Sequence, residues 1–212
     1  MSLTGTQVIQ ILNKIGDALD ENKQYLSELD AAIGDGDHGI NMSKGFNAVK
    51  EKIKDDNGEN IGNTLKKTGM ALVSNVGGAS GPLYGTAFMK AGAEVNGKSS
   101  IDISDFMKIM EAALAGIKMR GKAVKGEKTM IDAIEPAINA GRSAMDQGLS
   151  ALDTLEKMQE SALKGVEYTK TIIATKGRAS YLGERSIGHQ DAGATSSYII
   201  LNTIYEEVKN FS

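Results

Sequence analysis

Thr4-Gly5-Thr6-Gln7-Val8-Ile9-Gln10-Ile11-Leu12-Asn13-Lys14-Ile15-Gly16-Asp17-Ala18-Leu19 opens the chain with a helix that announces both its start and its inner face. Val8, Ile11, Leu12, Ile15 and Leu19 recur at three- and four-residue spacing, which makes one apolar stripe on a period of 3.6 residues. Thr4 and Gln7 stand in capping-box spacing ahead of it. The same period continues along the chain. Tyr25, Leu26 and Leu29 predict a second helix, and Met42, Phe46, Val49 and Ile53 a third. Further helices are expected over about 61–76, over 83–95, from Ser104 through Ile117, over 129–147, from an Asp153 cap to about 176, and over 194–209. Pro136 falls inside the 129–147 segment, where a proline kinks a helix or moves its start. Asp55-Asp56-Asn57-Gly58 reads as a turn. No alternating stretch predicts a strand. The chain therefore reads as all-α, one domain over 1–212, with connections mostly short enough for antiparallel neighbours.

Composition narrows the function. A chain of 212 residues supports one substantial core. Its formal charge of -3 gives no electrostatic footprint for nucleic acid. No apolar run approaches the roughly 20 residues that span a bilayer, so neither nucleic acid nor a membrane is expected as a partner. There is no cysteine, so any metal must be held by oxygen or imidazole. With no signal peptide visible, this composition fits a reducing, cytoplasmic compartment.

The 25 glycines cluster, and the clusters are where chemistry is expected. Asp30-Ala31-Ala32-Ile33-Gly34-Asp35-Gly36-Asp37-His38-Gly39 brings three carboxylates and a histidine together among glycines. Like charges this close repel unless a cation sits among them, and carboxylate oxygens are the usual ligands of Mg²⁺ or Ca²⁺. A solvated acidic turn is the competing reading, since Asp-Gly pairs form turns, though the apolar Ala31-Ala32-Ile33 argues against a fully wet segment. An EF-hand is excluded, because its fifth and twelfth positions would be Gly39 and Phe46. Gly116-Ile-Lys-Met-Arg-Gly121-Lys122-Ala123 nearly spells a phosphate-binding P-loop, but Ala123 lacks the hydroxyl and the flanking residues are helical. Gly77-Gly78-Ala79-Ser80-Gly81 between two helices suits an anion at a helix N-terminus, or an ordinary glycine-rich turn. In Gly188-His189-Gln190-Asp191-Ala192-Gly193, Asp191 is either a ligand contact or an N-cap. Arg178 is either a phosphate clamp or a surface cation. Both histidines, His38 and His189, stand in glycine-rich loops, which favours ligand contact over core packing.

These three blocks, in this order, resemble the nucleotide-binding L subunits of bacterial dihydroxyacetone kinases, and the resemblance spans essentially the whole chain. It implies an antiparallel barrel of about eight helices with the nucleotide at one end. It implies two Mg²⁺ ions on Asp30, Asp35 and Asp37, bridging the phosphates of a resident ADP. His38, Gly39, Asn41, Ala79 and Ser80 would then contact phosphates or ribose. Gly121, Thr129 and Met130 would border the adenine, and Arg178, Asp191, Ala192 and Gly193 would complete the site. In the separate-subunit members, a phosphocarrier M subunit fed from phosphoenolpyruvate recharges the ADP transiently to ATP. The phosphoryl group then passes to dihydroxyacetone on a K subunit. That implies a phosphotransferase subunit inert without partners, with no catalytic base or covalent phospho-residue of its own. Two further readings stand beside it: a component of an ATP-dependent dihydroxyacetone kinase, and a nucleotide-sensing module that binds a transcription regulator. A helical protein with adventitious Ca²⁺ would leave the two later glycine clusters unexplained.

Overall fold

The structure is a computed structural model that describes residues 1–211. Ser212, the last residue of the expected domain, lies outside the described residues. Among the described residues, nine α-helices account for most of the fold: α1 Gly5–Glu21, α2 Lys23–Ile33, α3 His38–Ile53, α4 Ile61–Asn75, α5 Ser80–Glu94, α6 Ile103–Gly121, α7 Ile131–Asp146, α8 Ala151–Thr169 and α9 Ala192–Asn210. The expected capping box is present, with Thr4 Oγ1 accepting from Gln7 N and Gln7 Oε1 accepting from Thr4 N. Met42, Phe46, Val49 and Ile53 form one fully buried face of α3.

Eight of the helices close a ring. α1 packs on α3, α3 on α4, then each on the next through α9, and α9 returns to α1. Neighbours run antiparallel. Between α1 and α3, Lys50 meets Asp17 while Ser43 meets Asp20. Between α4 and α5, Gly62 faces Gly92 while Gly69 faces Gly85. Between α6 and α7, Glu111 meets Arg142 while Lys118 meets Glu135. The ninth helix, α2, packs on α3 and α9. Gly39 permits this, because a Cβ there would strike the Lys23 carbonyl of α2. Inside the ring, one continuous core runs from Val8 to Val208.

The structure corrects several boundaries. Ser2–Thr4 (β1) and Ser100–Asp102 (β2) pair as a two-stranded antiparallel ribbon that periodicity did not show, each being only three residues long. α5 begins at Ser80 rather than near 83, since Pro82 is tolerated in a first turn. α6 is capped by Asp102 and α8 by Ser150, which accept from Asp105 N and Asp153 N; Ser104 and Asp153 lie inside their helices. α8 stops at Thr169, seven residues short of the expected 176, where Lys128 Nζ takes the Thr169 carbonyl at 2.6 Å in place of a further turn. A 3-10 segment, Arg178–Ser186, fills part of the connection to α9. α7 runs through Pro136, so the proline does not mark a start near Glu135.

Candidate functional site

An even number of antiparallel helices sorts their ends. The N-termini of α1, α4, α6 and α8 gather at one end of the ring, and those of α3, α5, α7 and α9 at the other. At the first end every helix has a side-chain cap: Thr4, Asn60, Asp102 and Ser150 each accept from a main-chain N–H of the first turn. At the second end the N-cap positions of α3, α5 and α7 are Asp37, Ala79 and Met130, and none provides such a cap. Only Asp191, on α9, does. Helix N-termini carry unpaired N–H groups and a positive end of the helix dipole. At α3 the first N–H is taken by Asp30 Oδ2 and at α7 by Thr129 Oγ1, so the start of α5, where Ala79 supplies no cap, is the one best suited to an anion, with the dipoles of the other two directed at the same cavity.

That cavity, of about 520 Å³, opens at this end. Its lining includes Asp30, Asp35, Asp37, His38, Ala79, Ser80, Gly121, Thr129, Met130, Arg178, Asp191, Ala192 and Gly193, and so unites residues from opposite ends of the chain. Three of the expected contacts are not among the lining residues. Gly39 lies at the α2–α3 crossing. Asn41 lies one turn into α3 with its amide beside Gly77, outside the cavity wall. His189 is exposed and does not line the cavity.

At one side the carboxylates converge. Asp30, Asp35 and Asp37 each offer an oxygen within 4.8 Å of the others. Asp30 Oδ2 accepts from Asp37 N at 2.9 Å and His38 N at 3.2 Å, so a residue of α2 steadies the start of α3. Gly34 makes room for this carboxylate, since a Cβ there would collide with Asp30 Oδ1. Gly36 turns the chain with φ +77°. The one cation paired to the cluster among the described residues is Arg178, with Nη1 2.7 Å from Asp35 Oδ2. An all-oxygen donor set with this excess of negative charge fits a hard divalent cation.

Behind the carboxylates a buried polar chain crosses the ring. His38 Nδ1 lies 3.1 Å from Ser80 Oγ, and Nε2 lies 2.8 Å from Ser196 Oγ. Ser196 in turn meets the Tyr84 hydroxyl at 2.7 Å, which also reaches Ser197 at 2.9 Å. Sequence reading set core packing against ligand contact for His38, but it is both buried and in the wall. Burial holds its pKa below the usual histidine value, against the pull of Asp30 and Asp37. Burial likewise pushes the Tyr84 phenol up to about 12.

The opposite wall is apolar, with Leu83, Ile117, Ala123, Met130 and Ile131. Beneath it, Asp191 caps α9 through Ala194 N at 2.6 Å. Burial pushes the Asp191 carboxyl up to about 7; Asp132 and Asp30 add to this, while the Ala194 N–H and Lys128 oppose it. Tyr84, Arg120, Lys128 and Lys176 also line the cavity without having been singled out from sequence. Only the positive φ of Lys128, +61°, marks it as unusual, and that is a property of the backbone.

A family model, the DAK2 domain, matches residues 32–206. The chain belongs to the DAK2 domain family. This DAK2 domain is 48% identical over 195 residues to the ADP-binding subunit DhaL of PEP-dependent dihydroxyacetone kinase 1 from Listeria innocua, with 92% of each chain covered. It is 43% identical over 204 residues to the corresponding Escherichia coli subunit, covering 96% of this chain and 97% of the other. Among solved structures, the fold matches the dihydroxyacetone kinase of C. freundii in complex with AMP-PNP and Mg²⁺, with a TM-score of 0.71 at 23% identity. That match covers 97% of the DAK2 domain but 34% of the larger kinase chain, and it shows the fold alone. The antiparallel barrel expected from the resemblance is thus the observed fold.

Proposed function

We propose that this chain is the ADP-binding subunit of a phosphoenolpyruvate-dependent dihydroxyacetone kinase. The carrying observation is the meeting, at one end of the barrel, of the Asp30–Asp35–Asp37 cluster with the N-termini of α3, α5 and α7, none of them capped by its own N-cap side chain. The diphosphate would lie between them, and the adenine against Leu83, Ile117 and Met130. A pair of Mg²⁺ ions on the three carboxylates would neutralise phosphate charge, the main requirement of phosphoryl transfer. Ser80, braced by His38, and Arg178 would orient the phosphates. The nucleotide would carry a phosphoryl group from a phosphocarrier subunit to dihydroxyacetone on a separate K subunit, in the cytoplasm. The higher identity to the separate-subunit relatives, 48% and 43%, against 32% to an L-erythrulose 1-kinase, supports that arrangement.

The test is to purify the protein without added nucleotide, denature it and chromatograph what is released. Stoichiometric ADP that survives gel filtration, and is lost from Asp35→Ala, is the expected result. Ordinary reversible binding of ATP would turn the reading toward an ATP-using kinase.

A further inference from the structure

A lysine in the wall of a proposed phosphate site invites assignment as a phosphate ligand, but Lys128 is committed elsewhere. An ammonium has three N–H donors and no acceptor. Lys128 Nζ lies 2.6 Å from the Thr169 carbonyl, 2.8 Å from that of Ser186 and 3.4 Å from that of Ile172. All three donors are spent on main-chain oxygens, and the side chain is buried. Thr169 ends α8 and Ser186 ends the 3-10 segment, where the carbonyl-rich, negative helix end favours a cation, and Ile172 lies just beyond α8.

Those carbonyls mark the base of a loop. Gly188 N donates to Lys170 O at 2.7 Å, and Ala174 N to Ser186 Oγ at 2.9 Å, so residues 170–188 leave the barrel and return to the same place. Near its outer end the loop carries Gly177 and Arg178, both in the cavity wall, and Arg178 reaches across to Asp35. Lys128 itself holds φ +61°, a left-handed conformation that a non-glycine residue adopts at a cost.

We propose that Lys128 is a positioning residue that fastens the base of the 170–188 loop, so that Arg178 is held over the cavity. Lys128 acts on bound nucleotide through Arg178 and makes no contact of its own. The proposal rests on the ADP reading for the ligand, but the fastening itself does not.

The experiment combines Lys128→Met, Arg178→Gln and the double variant with two readouts. The first is chymotryptic cleavage after Tyr181, which is 86% exposed, followed by mass spectrometry. The second is the dissociation rate of a fluorescent ADP analogue. Cleavage should accelerate at least about tenfold in Lys128→Met and stay near wild type in Arg178→Gln, since the bonds to be lost are charge-assisted. Each single variant should speed ADP release about tenfold, and the double variant no further, as expected for residues acting in series. Unchanged cleavage in Lys128→Met would overturn the fastening. Additive effects on ADP release would show Lys128 acting independently of Arg178 and would overturn the coupling. A wild type that binds no ADP analogue overturns the nucleotide reading and, with it, the coupling, while cleavage still decides the fastening. If Lys128→Met does not fold, Ser186→Ala removes the hydroxyl bond to Ala174 N at the same base. It must then accelerate cleavage after Tyr181 for the proposal to survive.

Discussion

Arg178 Nη1 lies 2.7 Å from Asp35 Oδ2, so a guanidinium stands against one of the three carboxylates suited to a metal. A cation bound at Asp35 must compete with it. The pair is largely solvent-exposed, and such pairs contribute at most about 1 kcal/mol. Arg178→Gln should therefore tighten Mn²⁺ binding to nucleotide-free protein by up to about fivefold at low salt. Electron paramagnetic resonance titration of free Mn²⁺ measures this, and weaker Mn²⁺ binding in the variant would contradict it.

Asp30 has two duties that substitution can separate. Asp30→Asn keeps an acceptor for Asp37 N and His38 N but lowers the charge of the cluster. It should retain wild-type stability and bind Mg²⁺ at least about tenfold more weakly. Asp30→Ala should lose the metal and also about 1–2 kcal/mol of stability through the start of α3. Urea unfolding beside calorimetric Mg²⁺ titration separates the two, and equal stability of the variants would refute the dual role.

The raised Asp191 carboxyl makes folding pH-dependent. Below the ordinary carboxylate range both folded and unfolded chains carry the proton. As pH rises toward 7 the unfolded chain releases it while the folded chain, with its pKa at about 7, retains it, so stability falls across that window and levels off above it. Asn is also a good N-cap and has no proton to release. Relative to Asp191→Asn, the ligand-free wild type should lose about 2 kcal/mol between about pH 5 and pH 8. Parallel denaturation curves for the two proteins at both pH values would rule this out.

Gly165 tests the barrel wall. Helix propensity alone favours alanine there by about 1 kcal/mol. In the fold, a Cβ at Gly165 would drive into the Asp132 carbonyl of α7. That carbonyl lacks the usual helical partner, because Pro136 stands four residues on without an N–H. Gly165→Ala should therefore destabilise the protein by about 1–3 kcal/mol. A rise in melting temperature would show that α7 and α8 are not in such close approach.

Gly39 and Gly165 show where sequence reading reached its limit. A glycine reveals a missing Cβ but not what occupies the space. The sequence places Gly39 beside Asp37-His38, and only the fold shows that its missing Cβ is what lets α2 cross α3. Asn41 is not in the cavity lining, but its amide lies beside Gly77, which is. Lys128 was passed over because its role depends on carbonyls 41 and 58 residues distant. The carboxylate cluster was legible because Asp30, Asp35 and Asp37 lie within eight residues, so local turns alone bring them together.

By itself, the sequence determined the helices, the capping box at Thr4, the buried face of α3 and the acidic loop, because each depends on residues a few positions apart. Only the tertiary structure decided that eight helices close a ring, which puts four N-termini at one end. It also decided that Asp30 steadies the start of α3, and that Arg178 pairs with Asp35. The physical reason is that ring closure depends on every helix packing on its neighbours. The electrostatics of the site therefore arise from how the helices are arranged, and no single segment encodes them.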